Sequence, residues 1–315
     1  MNSLLEINKA NTKWNNGKRP LFSRKSQKDV FFEIILVILM VLICFITLYP
    51  VWYTLVISFN DGMDAMQGGI YLWPRVFSLE NYQTVFRNTD IVKGFGVTTA
   101  RTIIATSLSI FFTAMVSYGM SKKELIGRKL YLTIGTITLF FSGGLIPYFI
   151  LIKNLRLIDN FLVYIIPAMF NFYNLIIFQA FFKELPVELE ESAKIDGAND
   201  LTIFTKIIIP LSKPILATMA LFNGVYHWND YFMGVIFMIR RMDLQPIQTF
   251  LYRVIAETTS NQMMYNAPGG IQYTRVTSQS IRMATMVVTT LPIICVYPFL
   301  QKYFVKGMLI GSLKG

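Results

Sequence analysis

The feature that most constrains this chain is the gathering of its apolar residues into long blocks. Six can be read, at roughly 31–57, 95–120, 130–152, 160–182, 213–239 and 283–305. The first, Phe31–Ile57, carries one charged residue, Glu33, near its start. About 20 consecutive apolar residues suffice for a helix to cross a bilayer. In that medium only structures that satisfy their backbone polar groups internally are stable. A chain of 315 residues with six such blocks keeps little sequence for a separate soluble domain. The composition agrees, because 54% hydrophobic and 15% charged residues leave too little charge to cover a soluble surface. The expected fold is an all-α membrane protein with six transmembrane helices.

The formal net charge is +11. In a membrane chain the distribution of Lys and Arg among the loops matters more than their total, so no nucleic-acid partner is inferred. Seven basic residues precede the first block: Lys9, Lys13, Lys18, Arg19, Arg24, Lys25 and Lys28. Lys122, Lys123, Arg128 and Lys129 follow the second, and Lys183, Lys194, Lys206 and Lys213 flank or fill the loop after the fourth. Lys302, Lys306 and Lys314 lie at the end. That side carries eighteen basic residues and the other ten. The bias predicts both termini in the cytoplasm, with a basic tail over 1–30, a membrane domain over 31–305 and a short tail over 306–315. The first block is too long for a signal-peptide core and no A-x-A-like site follows it, so an uncleaved span is expected. Cys44 and Cys295 fall inside spans and read as small hydrophobes.

Local signals add detail. Leu79, Tyr82, Val85 and Phe86 share a helical face, which predicts a short amphipathic helix at the surface. Ser142-Gly143-Gly144-Leu145-Ile146-Pro147 predicts a kink in the third block. Residues 240–282 form the longest outside segment, with Pro268-Gly269-Gly270 near its middle. No internal or inverted repeat stands out.

Between the fourth and fifth blocks lies a polar island, 185–214. Leu185-Pro186 can open a helix. Glu188, Glu190 and Glu191 fall in or just past its first turn, where the helix dipole favours carboxylates. Glu190 and Lys194 are spaced as an i,i+4 pair. Gly197 suits a C-terminal stop needing positive φ, and Asn199 or Asp200 can cap a second helix. That helix carries Ile203, Phe204, Ile207 and Ile208 at helical spacing before Pro210 and Pro214 turn the chain back. The result is a helix–turn–helix with one apolar and one charged side. Physically it could be an amphipathic cap on the bundle or a docking element.

The residues favour docking through a resemblance. Glu191-Ser192-Ala193, then Gly197, then Ile207-x-Ile209-Pro210 closely resembles the E-A-A-x3-G-x9-I-x-L-P signature of ABC importer permeases, with Ser for Ala and Ile for Leu as departures. In that family the element is a coupling helix that docks on a cytoplasmic ATPase. Phe77–Tyr82, Phe141–Pro147, Trp228–Phe232, Ser280–Ala284 and Tyr297–Gly307 resemble segments of carbohydrate-importing permeases related to the smaller maltose permease. The Phe-Ser-Gly-Gly-Leu-Ile-Pro string is similar to a Gram-positive branch that imports complex oligosaccharides. The resemblance implies a type I ABC importer core over about 91–300, a coupling helix–turn–helix at 185–210 and a bacterial plasma-membrane location. As coupling residues it implies Glu190, Glu191, Ser192, Ala193, Asp196, Gly197, Ala198, Phe204 and Pro210. It further implies a second permease chain, two ATPase subunits that use ATP and Mg, an extracellular solute-binding lipoprotein and an oligosaccharide substrate. This chain itself needs no cofactor or metal.

Polar groups inside spans are costly and therefore functional candidates. Arg101 either snorkels to the outer surface or faces the translocation path, where a sugar carboxylate could meet it. Trp228, Asn229 and Asp230, beside His227 and Tyr231, either bind sugar hydroxyls and ring faces or join helices. Asn171 and Asn174, with Tyr173, are further candidates. A single histidine excludes an H-E-x-x-H zinc site, and no G-x-x-x-x-G-K-[ST] loop is present for ATP. The alternatives are an ABC permease for a non-sugar solute, a stand-alone carrier, or a membrane enzyme, the last weakened by these absences.

Overall fold

The computed structural model describes residues 27–265 and 277–312. Most of the basic N-terminal tail and the Pro268-Gly269-Gly270 segment lie outside the described residues. Contacts divide the chain into two compact units, Met1–Tyr53 and Thr54–Gly315. The described part of the first unit is most of helix α1, Gln27–Ser58, with Pro50 inside it.

The second unit is helical throughout its named elements. After α1 come α2 (Gly62–Met66) and α3 (Glu80–Arg87), then the long α4 (Thr89–Ser121). Helices α5 (Arg128–Phe140) and α6 (Leu145–Asn154) follow. Two 3-10 turns, Phe161–Tyr164 and Ile166–Ala168, lead into α7 (Phe172–Phe182). The polar island forms α8 (Val187–Ile195) and the helical run α9 (Asp200–Leu211). Then come α10 (Lys213–Asn229), α11 (Phe232–Phe237), α12 (Ile247–Tyr265) and α13 (Ser278–Ser312).

Among the described residues three helices are long and apolar enough to cross a membrane, and up to six spans result if each bent pair counts as one. The bends are a finding. The pair α5 and α6 turns by 117° at the Ser142-Gly143-Gly144 segment, far beyond a kink. There Gly144 adopts φ +82°, a conformation open to glycine at little cost. The fourth block is two 3-10 turns bent 43° from α7, because Pro167 lies in the second of them and Asn171 starts a new helix by accepting a hydrogen bond from the Asn174 N–H. The fifth block breaks at Asp230.

Helix α4 is the central element, packed against α7 and α10, with α10 against α13. Its buried small polar residues Thr98, Thr106, Ser109, Thr113 and Ser117 let neighbouring backbones approach closely. The Ser117 hydroxyl donates to the Thr113 carbonyl at 2.6 Å, and Thr98 Oγ1 accepts the Ile247 N–H at 2.9 Å. Helix α3 forms where expected and packs Tyr82 and Val85 inward. It buries Val85 and Asn81, whereas Leu79 and Phe86 are exposed. Asn81 wins the inward position because its amide donates to the Ser58 and Asn60 carbonyls, which would otherwise be buried acceptors without a partner.

Candidate functional site

Two regions gather the candidate residues, and α4 runs past both. At one end the polar island folds as its turn chemistry dictates. Pro186 opens α8, and Gly197 closes it at φ +79°. The Gly197 N–H donates to the Lys194 carbonyl at 3.0 Å and the Ala198 N–H to the Ala193 carbonyl at 2.9 Å. This is the paired closure of a Schellman motif. Asn199 Oδ1 accepts the Thr202 N–H and caps α9. Pro210 does not end that helix. Lacking an N–H, it removes one i→i−4 bond, and the Ile209 N–H reaches back five residues to the Phe204 carbonyl in a π turn. The 81° bend follows, between α9 and α10.

The coupling residues then separate by environment. Phe204 is fully buried with Phe178, Ile203 and Ile208, its ring 5.5 Å from that of Tyr118. It anchors the element to α4. Ala193 and Ala198 pack against the same cluster. Glu190 pairs with Lys122 just past the end of α4, and the Lys122 ammonium also lies over the Tyr118 ring. Burial, then Lys194 nearby, holds the Lys122 pKa below the ordinary lysine value. Exposed on the outward side are Glu191, Ser192, Asp196, Gly197 and Pro210. Beside them the apolar Ile195 is 86% exposed, a residue that periodicity does not single out.

The second region is a cavity of about 400 Å³. It brings together Arg101, Asn171, Asn174 and Asp230, the last from the break between α10 and α11. It leaves out Trp228 and Asn229. The Trp228 indole N–H donates to the Thr289 carbonyl at 2.9 Å and so joins α10 to α13. The Asn229 amide returns to the Val225 carbonyl on its own helix. Sequence reasoning missed Tyr148, Tyr164, Asn223 and Tyr226, which also line the cavity. Their signal is aromatic and amide residues on three different blocks, and no local pattern connects them.

Arg101 is 1% exposed, so it does not snorkel. Its Nη1 donates to the Asp230 carbonyl at 3.0 Å and its Nη2 pairs with the Asp230 carboxylate. Its Cζ lies 4.5 Å from the centre of the Tyr164 ring. The other Asp230 oxygen accepts the Phe232 N–H at 2.9 Å and the Met233 N–H at 3.3 Å, capping α11. Losing one partner of such a buried pair strands a charge, at a cost of roughly 3–5 kcal/mol. The Asn174 amide donates to Asn223 Oδ1 at 3.0 Å. The remaining lining offers aromatic faces and amide groups, which suit a polyhydroxylated ligand.

Above the cavity, at the end away from the island, Asp159 ties two loops. Its carboxylate accepts the Arg240 N–H at 2.8 Å and the Arg241 N–H at 3.2 Å. Tyr164 reaches the same region, its hydroxyl donating to the Leu244 carbonyl.

A cavity lined by aromatic, amide and ionic side chains among bent membrane helices, with a capped element at one end, fits a solute permease. Residues 119–310 match the family described as binding-protein-dependent transport system inner membrane component, and the chain belongs to it. Over 274 residues it is 39% identical to Protein LplC of Bacillus subtilis (strain 168), covering 86% of this chain and 90% of that one. Over 288 residues it is 37% identical to the polygalacturonan/rhamnogalacturonan transport system permease protein YtcP of the same strain, covering 91% and 100%. Among solved structures it is similar to a chain of a bacterial ABC transporter involved in the import of the acidic polysaccharide alginate. That match has a TM-score of 0.81 and 29% identity, covering 90% of this chain and 100% of that one.

Proposed function

We propose that the chain is the permease subunit of an ATP-driven importer that carries oligosaccharide into the cytoplasm by alternating access. The observation that carries this reading is the joint placement of the two regions on α4. Arg101 of that helix lies in the cavity wall, and its C-terminal end holds the island through Lys122. The saccharide class is supported by YtcP and by the alginate importer together with the aromatic and amide lining. In this reading the island faces the cytoplasm and docks on an ATPase through Glu191, Ser192, Ile195, Asp196 and Gly197. Two such ATPase subunits, a second homologous permease chain and an extracellular solute-binding lipoprotein complete the assembly. ATP closes the ATPase pair, and the motion passes through α8 and α9 into α4 and α10. The cavity then opens to the loaded binding protein, and hydrolysis returns it. Arg101, Asn171, Asn174 and Asp230 line the path. Trp228 holds α10 to α13, and Asn229 bonds within its own helix.

The test is co-purification of an ATPase subunit with the chain. Glu191→Lys reverses an exposed charge, and Gly197→Asp puts a side chain where the backbone has positive φ, a strain of about 1 kcal/mol. Both should lower recovery of the ATPase at least tenfold while the permease stays membrane-inserted. Recovery unchanged in both variants would sink the docking assignment.

A further inference from the structure

We propose that Asp230 masks the charge of Arg101, so that this chain's share of the cavity takes a saccharide through hydroxyls and ring faces, not through a carboxylate. The inference rests on the cavity being the saccharide site.

Among the residues lining the cavity Arg101 is the one permanent cation and Asp230 the one carboxylate. The other titratable groups there are His227 and the tyrosines 148, 164, 173 and 226. Arg101 spends both terminal nitrogens on Asp230, and Tyr164 covers a face of the guanidinium. Its Nε is buried without a hydrogen-bond partner. The end-on fork of donors is therefore turned to Asp230, and the side fork that includes Nε is buried in a residue only 1% exposed, out of reach of a uronate's bidentate bond. Asp230 is also held from swinging away, because its second oxygen caps α11 through Phe232 and Met233. A carboxylate entering this site would shed water in a low-dielectric wall of zero net charge. An uncharged sugar meets amides and aromatic faces instead.

The charge can be set at will. Asp230→Asn keeps an oxygen for the cap and leaves the wall with a bare Arg101. Arg101→Gln leaves a bare carboxylate, and the double variant restores neutrality. The complete permease–ATPase complex in nanodiscs, without binding protein, is given equal amounts of α-1,4-linked galactotriose and trigalacturonate. Their bound signals are compared by saturation-transfer NMR. The two sugars differ only at the C6 carboxylate. Asp230→Asn should raise the uronate-to-neutral ratio roughly tenfold or more, equivalent to about 1.4 kcal/mol. Arg101→Gln should lower it, and the double variant should fall within about twofold of the unaltered protein. Should either single variant fail to assemble, the double variant still decides, since a lost uronate signal there would mean Arg101 was already reading the carboxylate. A ratio unmoved by Asp230→Asn overturns the proposal. Absence of signal for both sugars in an intact, ATP-hydrolysing complex would instead overturn the saccharide reading of the cavity.

Discussion

At the residue scale the informative groups are those whose polar atoms are claimed by distant parts of the chain. Arg101 and Asp230 each stand out in the sequence as a charge inside an apolar block, but their pairing spans 129 positions and has no local signature. The same holds for Trp228, whose indole could serve a sugar or a helix until the Thr289 carbonyl is seen to accept it. Asp159 shows what such a group can govern. The Arg240 backbone N–H foremost, then that of Arg241, holds its carboxyl below the usual aspartate range. The folded-state pKa is therefore depressed. The tie is complete above the ordinary aspartate pKa, near 3.9, and is lost as pH falls through the lowered value. Hydrogen exchange at the Arg240 and Arg241 amides, corrected for intrinsic rate, should stay protected at neutral pH and lose protection only in that acid window. Asp159→Ala should lose it at every pH.

At the element scale the polar island was the most legible part of the chain. Its proline start, glycine stop and asparagine cap act over four or five residues, so each could be read locally. The reading fell short where the outcome depends on neighbours. Pro210 makes a π turn inside the run because Phe204 and Ile208 are already committed to the core beside α4. Helix α3 turns Asn81 inward beside Val85, since two backbone carbonyls wait there. Helices α11 and α12 meet at Gly234, a close approach that no motif announces. A Cβ there would overlap Thr249 Oγ1 and lie 2.8 Å from Pro246 Cδ. Thr249 has little freedom to yield because its hydroxyl donates to the Tyr231 carbonyl. Gly234→Ala should therefore destabilise the assembled protein by about 1–3 kcal/mol, read as a lowered thermal midpoint in detergent, whereas Gly119→Ala, in open space, should not.

At the scale of the whole molecule the orientation expected from Lys and Arg in the loops can be checked directly. With Cys44 and Cys295 replaced by serine, Lys123→Cys sits in an exposed loop at the island end and Met242→Cys in an exposed turn beyond the cavity. In intact cells a membrane-impermeant maleimide should label position 242 and reach position 123 only after permeabilisation. The opposite pattern would reverse the assignment of the island to the cytoplasm. The sequence by itself determined the all-helical membrane class, the family and the island's local fold, because hydropathy, charge bias and capping are short-range properties of a chain meeting lipid and water. Only the tertiary structure decided that the third block folds back through 117° and that Phe204 is an anchor. It alone decided that Arg101 is already answered by Asp230. Those outcomes depend on which distant group satisfies a buried atom, a choice made by packing across the bundle.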